Sequence, residues 1–322
     1  MIRTNEYGYR KLGASGIEVS PLGIGTNRWG SDQGSNRETI YKTFDAYLEA
    51  GLNFFDTAEV YTGTYSERVL GECLRRNRQN VVIATKFAPL PNRLSSHTLM
   101  DALDASLQRL GLETIDLYMV HWPFTLLNIE ALMDEMALAV HRGKVRAVGV
   151  SNFNVDQMCR AHARLSHYEI PLAVNEVHYS LVHRQPEDNG VLEACQELDV
   201  ALIAYRPLES GSIARAGDLE VRNSTVAPTL LRQGRRLISS LQYPKNQEHL
   251  VTLRSTVDEV ARAHGKTHSQ VALNWLLQRD EHIIPIPGTT SPEHVTENAE
   301  TLTWKLTPDE FAVINAASTP WK

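Results

Sequence analysis

Short apolar runs recur along this chain at a nearly even spacing. They are Leu22–Thr26, Asn53–Thr57, Val81–Lys86, Asp116–His121, Val145–Ser151, Ala173–Val177, Ala201–Tyr205 and Ile283–Gly288. Apart from the last gap, each begins roughly 28 to 35 residues after the one before, the length that a strand, a helix and two loops need. Near-continuous apolar character suits strands buried on both faces, as in a parallel sheet.

Helical patterns fill the gaps. Leu99, Leu103, Leu107 and Leu110 make one apolar stripe, with Ser95 or Ser96 as the expected cap. Helices are also expected over Glu67 to Arg76, Glu130 to Arg142 before the stop at Gly143, Val155 to Leu165, and Val191 to Leu198. Thr267 and Gln270 form a capping box for a helix late in the chain. Eight strand–helix units in one chain predict a closed (β/α)8 TIM barrel, in one domain over residues 1–322.

Two places break the rhythm. Arg10–Leu12 and Ile17–Ser20 flank Gly13-Ala14-Ser15-Gly16, which predicts an N-terminal β-hairpin capping the bottom of the barrel. After the seventh run, a polar stretch from Glu209 to Asn246 predicts a long loop. At the carboxyl end of a strand, such a loop lies over the active face.

Successive βα units bring the carboxyl ends of all the runs to one mouth. The residues there are Thr26, Asp56, Lys86, His121, Ser151 with Asn152, Glu176, Tyr205 and Gly288, and Tyr61 follows Asp56 by five positions. A tyrosine is a poor acid near neutrality. A lysine cation beside it favours the phenolate, and is expected to lower its pKa. A carboxylate holds that lysine in place. A histidine can hydrogen-bond both phenol and substrate oxygen. This group suits general acid catalysis at a carbonyl, and the hydride must come from a cofactor.

Composition narrows the classes. The formal charge is −6 over 322 residues, which argues against a nucleic-acid partner. No run reaches the ~18 apolar residues of a membrane span, and the N-terminus has no apolar core of the kind a signal peptide carries. The three cysteines, Cys73, Cys159 and Cys195, are far apart, so a reducing cytoplasm is expected and each reads as a small buried apolar residue. No metal site is expected, because the first run carries no H-x-H and His121 alone among histidines ends a run. The oligomeric state is not legible.

The motifs GLNFFDTAEVY with SERVLGECL, VVIATK, ASLQRLGLETIDLYMVHWP, VRAVGVSNF, VNEVHYSLVHR, ALIAYRPL, QVALNWLL and IPIPGTTSPEHVTENAETL follow one another from about Tyr9 to Leu306. In these the sequence resembles the aldo-keto reductase superfamily. The resemblance implies a (β/α)8 barrel that reduces aldehydes and ketones with NADPH. It makes Tyr61 the proton donor, tuned by Lys86 and Asp56, with His121 orienting the carbonyl. It gives the nicotinamide carboxamide to Ser151, Asn152 and Glu176, with Thr26 beside them, and the ring face to Tyr205. It assigns the adenosine end to Gly288, Thr289, Thr290, His294, Glu297 and Asn298, with Arg206 able to reach the phosphates. Trp29, Trp122, Phe124 and Tyr65 are expected to line an aromatic pocket for a small-molecule carbonyl substrate.

The chain also departs from that pattern. Glu176 stands where the family usually has Gln, and Arg206 where it usually has Ser. Many members carry Lys or Arg in the last loop, whereas here only His294 can become cationic, so NADH is a possible second cofactor. The chain stops soon after Phe311, which implies a more open pocket than in the steroid-handling members. Two other readings compete with the reductase. One is a cofactor-binding regulatory barrel with little turnover, as in the potassium-channel β subunits of the family. The other is a metal-dependent hydrolase.

Overall fold

The computed structural model describes residues 6–30, 36–78, 80–93, 95–123, 127–209 and 248–322. The predicted hairpin is present. β1 (Arg10–Lys11) pairs antiparallel with β2 (Glu18–Val19). Eight further strands form one parallel sheet in sequence order: β3 (Gly23–Gly25), β4 (Phe54–Asp56), β5 (Val82–Phe87), β6 (Ile115–Val120), β7 (Val145–Ser151), β8 (Leu172–His178), β9 (Ala201–Tyr205) and β10 (Ile283–Ile286). A parallel bridge between Gly25 and Gly288 closes the sheet on itself. Gly25 N donates to Pro287 O at 3.3 Å beside it. The chain is therefore a (β/α)8 barrel.

The last strand is shorter than its apolar run, ending at Ile286. Pro287 follows and has no N–H for the ladder, so only the isolated bridge at Gly288 continues the pairing.

Helices α1 (Arg37–Glu49), α2 (Tyr65–Arg76), α3 (Thr98–Leu110), α4 (Ile129–His141), α5 (Val155–Ser166), α6 (Gln185–Asp188) and α7 (Val191–Glu197) come between and after the first strands. They are followed by α8 (residues 248–264), α9 (His268–Arg279), α10 (Pro292–Glu300) and α11 (Pro308–Ala317). The Thr267–Gln270 capping box is formed at α9. The expected Ser95 or Ser96 cap of α3 is not: the capping position is His97, and no side chain accepts from the first turn. That helix is held by its apolar stripe, with Leu99, Leu103 and Leu110 fully buried. Apart from Glu209, the polar stretch after β9 lies outside the described residues, as does Phe124.

Two apolar cores result. The larger lies between sheet and helices, and the smaller fills the barrel. Strand alternation sorts residues between them. Phe54 points in and Phe55 out; Val82 and Ala84 point in, and Ile83 out. Leu12, Ile17 and Val19 of the hairpin close the inner core from below. Ala14 N donates to Asp199 O at 3.2 Å, just ahead of β9. Gly13 permits this approach: it has φ 49°, and a Cβ there would collide with the carbonyls of Asp199 and Ala173. Burying one leucine contributes about 1.5–3 kcal/mol, so three such residues seat the hairpin firmly. Gly149 serves the interior in the same way, since a Cβ would run into Val174 and lie 3.1 Å from the Met119 side chain.

Candidate active site

The inward parity that buries Phe54, Val82 with Ala84, and Leu117 with Met119 continues to the carboxyl ends of their strands. It delivers Asp56, Lys86 and His121 to the mouth. On β8 and β9 the same parity carries Val174 to Glu176 and Ile203 to Tyr205. Tyr61 comes from a tight loop after β4. Thr62, Gly63 and Thr64 have φ of 48°, 64° and 76°, and Thr62 Oγ1 donates to Trp29 O at 3.0 Å.

Lys86 Nζ is the hub, and its side chain is fully buried. It donates to Asp56 Oδ1, to Thr57 O at 3.0 Å and to Tyr61 OH at 3.3 Å. Glu176 Oε2 lies 3.2 Å from the same nitrogen. The His121 ring meets the Tyr61 ring edge-on at 5.6 Å and stacks on Trp122 at 3.8 Å. Backbone bonds set these strand ends: His121 N donates to Phe87 O at 2.9 Å, and Thr57 N to Ala84 O at 2.9 Å.

The electrostatics correct one expectation. The Tyr61 phenol is held above its ordinary range, not below it, because burial outweighs the attraction of Lys86 and because Asp56 and Glu176 push the same way. Burial disfavours charge on Lys86 too, but the acids around it, Asp56 first, overcome it and keep the ammonium charged. His121 is driven down to about 2 by burial and by Lys86, so its imidazole is neutral. It can offer an N–H to a substrate oxygen, and its Nδ1 is buried without a hydrogen bond. The arrangement therefore presents a protonated phenol, a neutral imidazole and a fixed cation to one point. Such a set can supply a proton, an orienting hydrogen bond and a charge for an oxygen that turns negative.

The expected nicotinamide residues lie at the same mouth. Ser151 Oγ donates to Glu176 O at 2.9 Å. Asn152, at φ 62°, donates through Nδ2 to His121 O at 3.1 Å and to Ser151 Oγ at 2.9 Å. Tyr205 OH donates to Asn152 Oδ1 at 2.9 Å. One chain of hydrogen bonds thus joins the strand ends of β6, β7, β8 and β9. Glu176 Oε2 is buried without a hydrogen bond, beside Lys86 Nζ and behind the Ser151–Asn152–Tyr205 chain. This donor set fits a planar ring bearing a carboxamide.

Two other expected residues, Thr26 and Trp29, pack into the walls of the site. Thr26 is fully buried, and its hydroxyl donates to Asp56 O at 2.9 Å. Trp29 has no exposed surface. It packs on Phe55 and donates from Nε1 to Thr289 O at 2.9 Å, so it buttresses the wall instead of lining an open pocket. Trp122 is half-buried and Tyr65 exposed. At the α10 end, Ser291 caps the helix by accepting from His294 N, and the His294 side chain is exposed. Thr290 is half-buried and Asn298 buried, while Glu297 accepts from Thr267 Oγ1 at 2.7 Å. Arg206 is exposed at φ 50°.

Three features were missed in the sequence. Glu59 is gripped by Arg93 through both oxygens and accepts from Ala88 N at 2.6 Å, which ties the β4 and β5 loops together. His178 stacks on Tyr205 at 5.2 Å and on His183 at 3.7 Å. Its parity with Glu176 on β8 was a readable signal. Glu176 also belongs to the lysine cluster, which no local pattern marks. Cys159 is exposed, against expectation, while Cys73 and Cys195 are buried; all three are free.

Comparison with known proteins agrees with this geometry. The model of the aldo/keto reductase family matches residues 21–319. The chain is 35% identical over 320 residues to "Pyridoxal reductase, chloroplastic" of Arabidopsis thaliana, covering 94% of this chain and 84% of the relative. It is 31% identical over 316 residues to "Probable aldo-keto reductase 1" of Glycine max, covering 94% and 87%. A thermostable aldo-keto reductase in complex with the inhibitor epalrestat superposes with a TM-score of 0.75 at 28% identity, over 96% of this chain and 99% of that one. An aldo-keto reductase from Klebsiella pneumoniae in complex with NADPH gives 0.74 at 26%, over 95% and 94%. No helix among the described residues is long and apolar enough to cross a membrane, and no group of three or more His, Cys, Asp or Glu among them could hold a metal ion. A barrel closed at Gly25 and Gly288, a buried lysine under a tyrosine at its mouth, and a family match over nearly the whole chain lead to one conclusion: this protein belongs to the aldo/keto reductase family and is an NAD(P)H-dependent oxidoreductase.

Proposed function

We propose that this chain reduces an aldehyde or ketone to the alcohol with NADPH, and that Tyr61 supplies the proton. The observation that carries this reading is the convergence on Lys86 Nζ of Tyr61 OH at 3.3 Å and the Asp56 carboxylate, with His121 edge-on to Tyr61. When bound, the cofactor supplies the hydride. The protein's own residues do the rest. His121 donates a hydrogen bond that sets the carbonyl oxygen beside Tyr61. The phenol O–H passes its proton to that oxygen as charge develops there. Lys86, kept charged by Asp56, stabilises the phenolate left behind.

Ser151, Asn152 and Glu176 are suited to the carboxamide and Tyr205 to the ring. Gly288, Thr289, Thr290, His294 and Asn298 are suited to the adenosine end, and the chain works as one barrel domain in the cytoplasm. The relative that acts on pyridoxal makes pyridoxal the first substrate to try. The experiment is a panel of pyridoxal, sugars, aliphatic and aromatic aldehydes and ketones, with NADPH oxidation followed by absorbance. Turnover of any member supports the enzyme. Tight cofactor binding with no turnover across the panel favours the regulatory reading.

The cofactor choice has its own test. In the last loop, Gly288 to His294, only His294 can become cationic, so the preference for NADPH over NADH is expected to be modest. His294→Arg should tighten NADPH by up to about fivefold, the worth of an exposed ion pair of about 1 kcal/mol, and leave NADH unchanged. Dissociation constants from protein fluorescence quenching decide it. Equal NADPH affinity in both proteins means that the phosphate is held elsewhere.

A further inference from the structure

Lys86 carries one more acid than it can bond. An ammonium has three N–H groups, and these go to Asp56, Thr57 O and Tyr61. Glu176 Oε2, 3.2 Å from the nitrogen, receives none. Asp56 is 1% exposed, Glu176 2% and Lys86 0%. Two ionised carboxylates against one ammonium would leave a net negative charge out of water, and holding a proton is the cheaper state. The two carboxyl groups are within hydrogen-bonding reach of each other, so one proton satisfies both. Asp56 has the direct bond from Lys86, so the proton resides on Glu176. Burial first, and then the Asp56 charge, raise Glu176 to about 8. Among the described residues, the groups facing Glu176 are Asp56 on β4, Lys86 on β5, Tyr61 on the loop after β4, and Tyr205 on β9, and its charge acts on both phenols.

We propose that Glu176 senses the oxidation state of the nicotinamide: it holds its proton in the resting site and beside the neutral reduced ring, and releases it to solvent when the cationic oxidised ring occupies the mouth. This rests on the reading that the nicotinamide lies among Ser151, Asn152, Glu176 and Tyr205. The oxidised ring carries one positive charge and the reduced ring none. A cation beside Glu176 does what the proton does, so the two compete. Product cofactor is thus held by a charge pair that the fresh cofactor lacks, and the strength of that pair depends on pH.

The sign follows from linkage. Below about 8 the resting Glu176 is protonated, so binding of NADP+ releases a proton and its affinity rises with pH, by at most about tenfold per unit. NADPH affinity gains nothing over the same range. The 2′-phosphate is common to both forms and cancels in the comparison. Titration calorimetry of the wild-type protein with each cofactor at pH 7, in two buffers of different ionisation enthalpy, counts the protons. About 0.5 to 1 more proton should be released with NADP+ than with NADPH. Glu176→Gln, which cannot titrate, should abolish that difference and flatten the ratio of the two dissociation constants between pH 6 and 9. Equal proton release in wild type, or a difference that survives in Glu176→Gln, overturns the proposal while leaving the cofactor site intact. Failure of both oxidation states to bind overturns the site reading and this proposal with it. The wild-type comparison stands alone should the variant not fold.

Discussion

Tyr61→Phe is expected to lower kcat for carbonyl reduction by at least about 10²-fold, the usual worth of a positioned general acid. Cofactor affinity should stay nearly unchanged. The substitution removes only the hydroxyl that accepts from Lys86 Nζ at 3.3 Å and keeps the ring that meets His121 at 5.6 Å. The loss should therefore be chemical and not structural. Because burial holds the phenol above its ordinary range, Tyr61 is protonated at every working pH. With His121 neutral throughout, neither residue should put a limb on the wild-type rate between about pH 6 and 8. Single-turnover rates with saturating NADPH are the measurement. A variant that keeps more than about a tenth of the wild-type rate removes Tyr61 from the proposed mechanism.

The second large effect is expected from Lys86→Met. It takes away the cation that stabilises the phenolate, so the rate should collapse as it does for Tyr61→Phe. It should also weaken the fold, which Tyr61→Phe should not. Asp56 would keep its burial and lose its counter-charge, and breaking a buried pair from one side costs about 3–5 kcal/mol. That cost has a direction in pH. Glu176 is protonated over this range with or without Lys86, but without it the buried Asp56 carboxyl rises further above its unfolded value. A group raised in this way contributes its stability at low pH and loses it as pH climbs through the folded value. The deficit in Tm of Lys86→Met relative to wild type should thus widen from about pH 5 to pH 8. An equal deficit at both pH values would mean that Asp56 does not depend on Lys86, and wild-type turnover would reduce Lys86 to a strand end.

Much of this site was legible because strands have a period of two and a barrel has two ends. Asp56 stands two residues after Phe54, Lys86 two after Ala84 and His121 two after Met119. Once Phe54, Ala84 and Met119 are core, their successors must face the mouth. The even spacing of the runs set the parallel order, and the Thr267–Gln270 box marked α9, since both signals are local in the chain. The cap of α3 was misjudged because packing of its leucines holds that helix without a serine. Trp29 looked like a pocket wall, but packing on Phe55 and the bond to Thr289 turn it inward.

What only the tertiary structure decided is the electrostatics. Motif logic says that lysine lowers the tyrosine pKa, yet burial, helped by the Asp56 carboxylate, reverses the sign. Glu176 is ninety residues from Lys86 in the chain, and its strand is not a neighbour of β5. It reaches 3.2 Å from the ammonium because the closed sheet brings opposite walls of a narrow mouth together. Strand parity names the face a residue points to and is read from neighbours in sequence. Distance across the barrel and depth below its rim are set by closure, and no local pattern in the sequence records them.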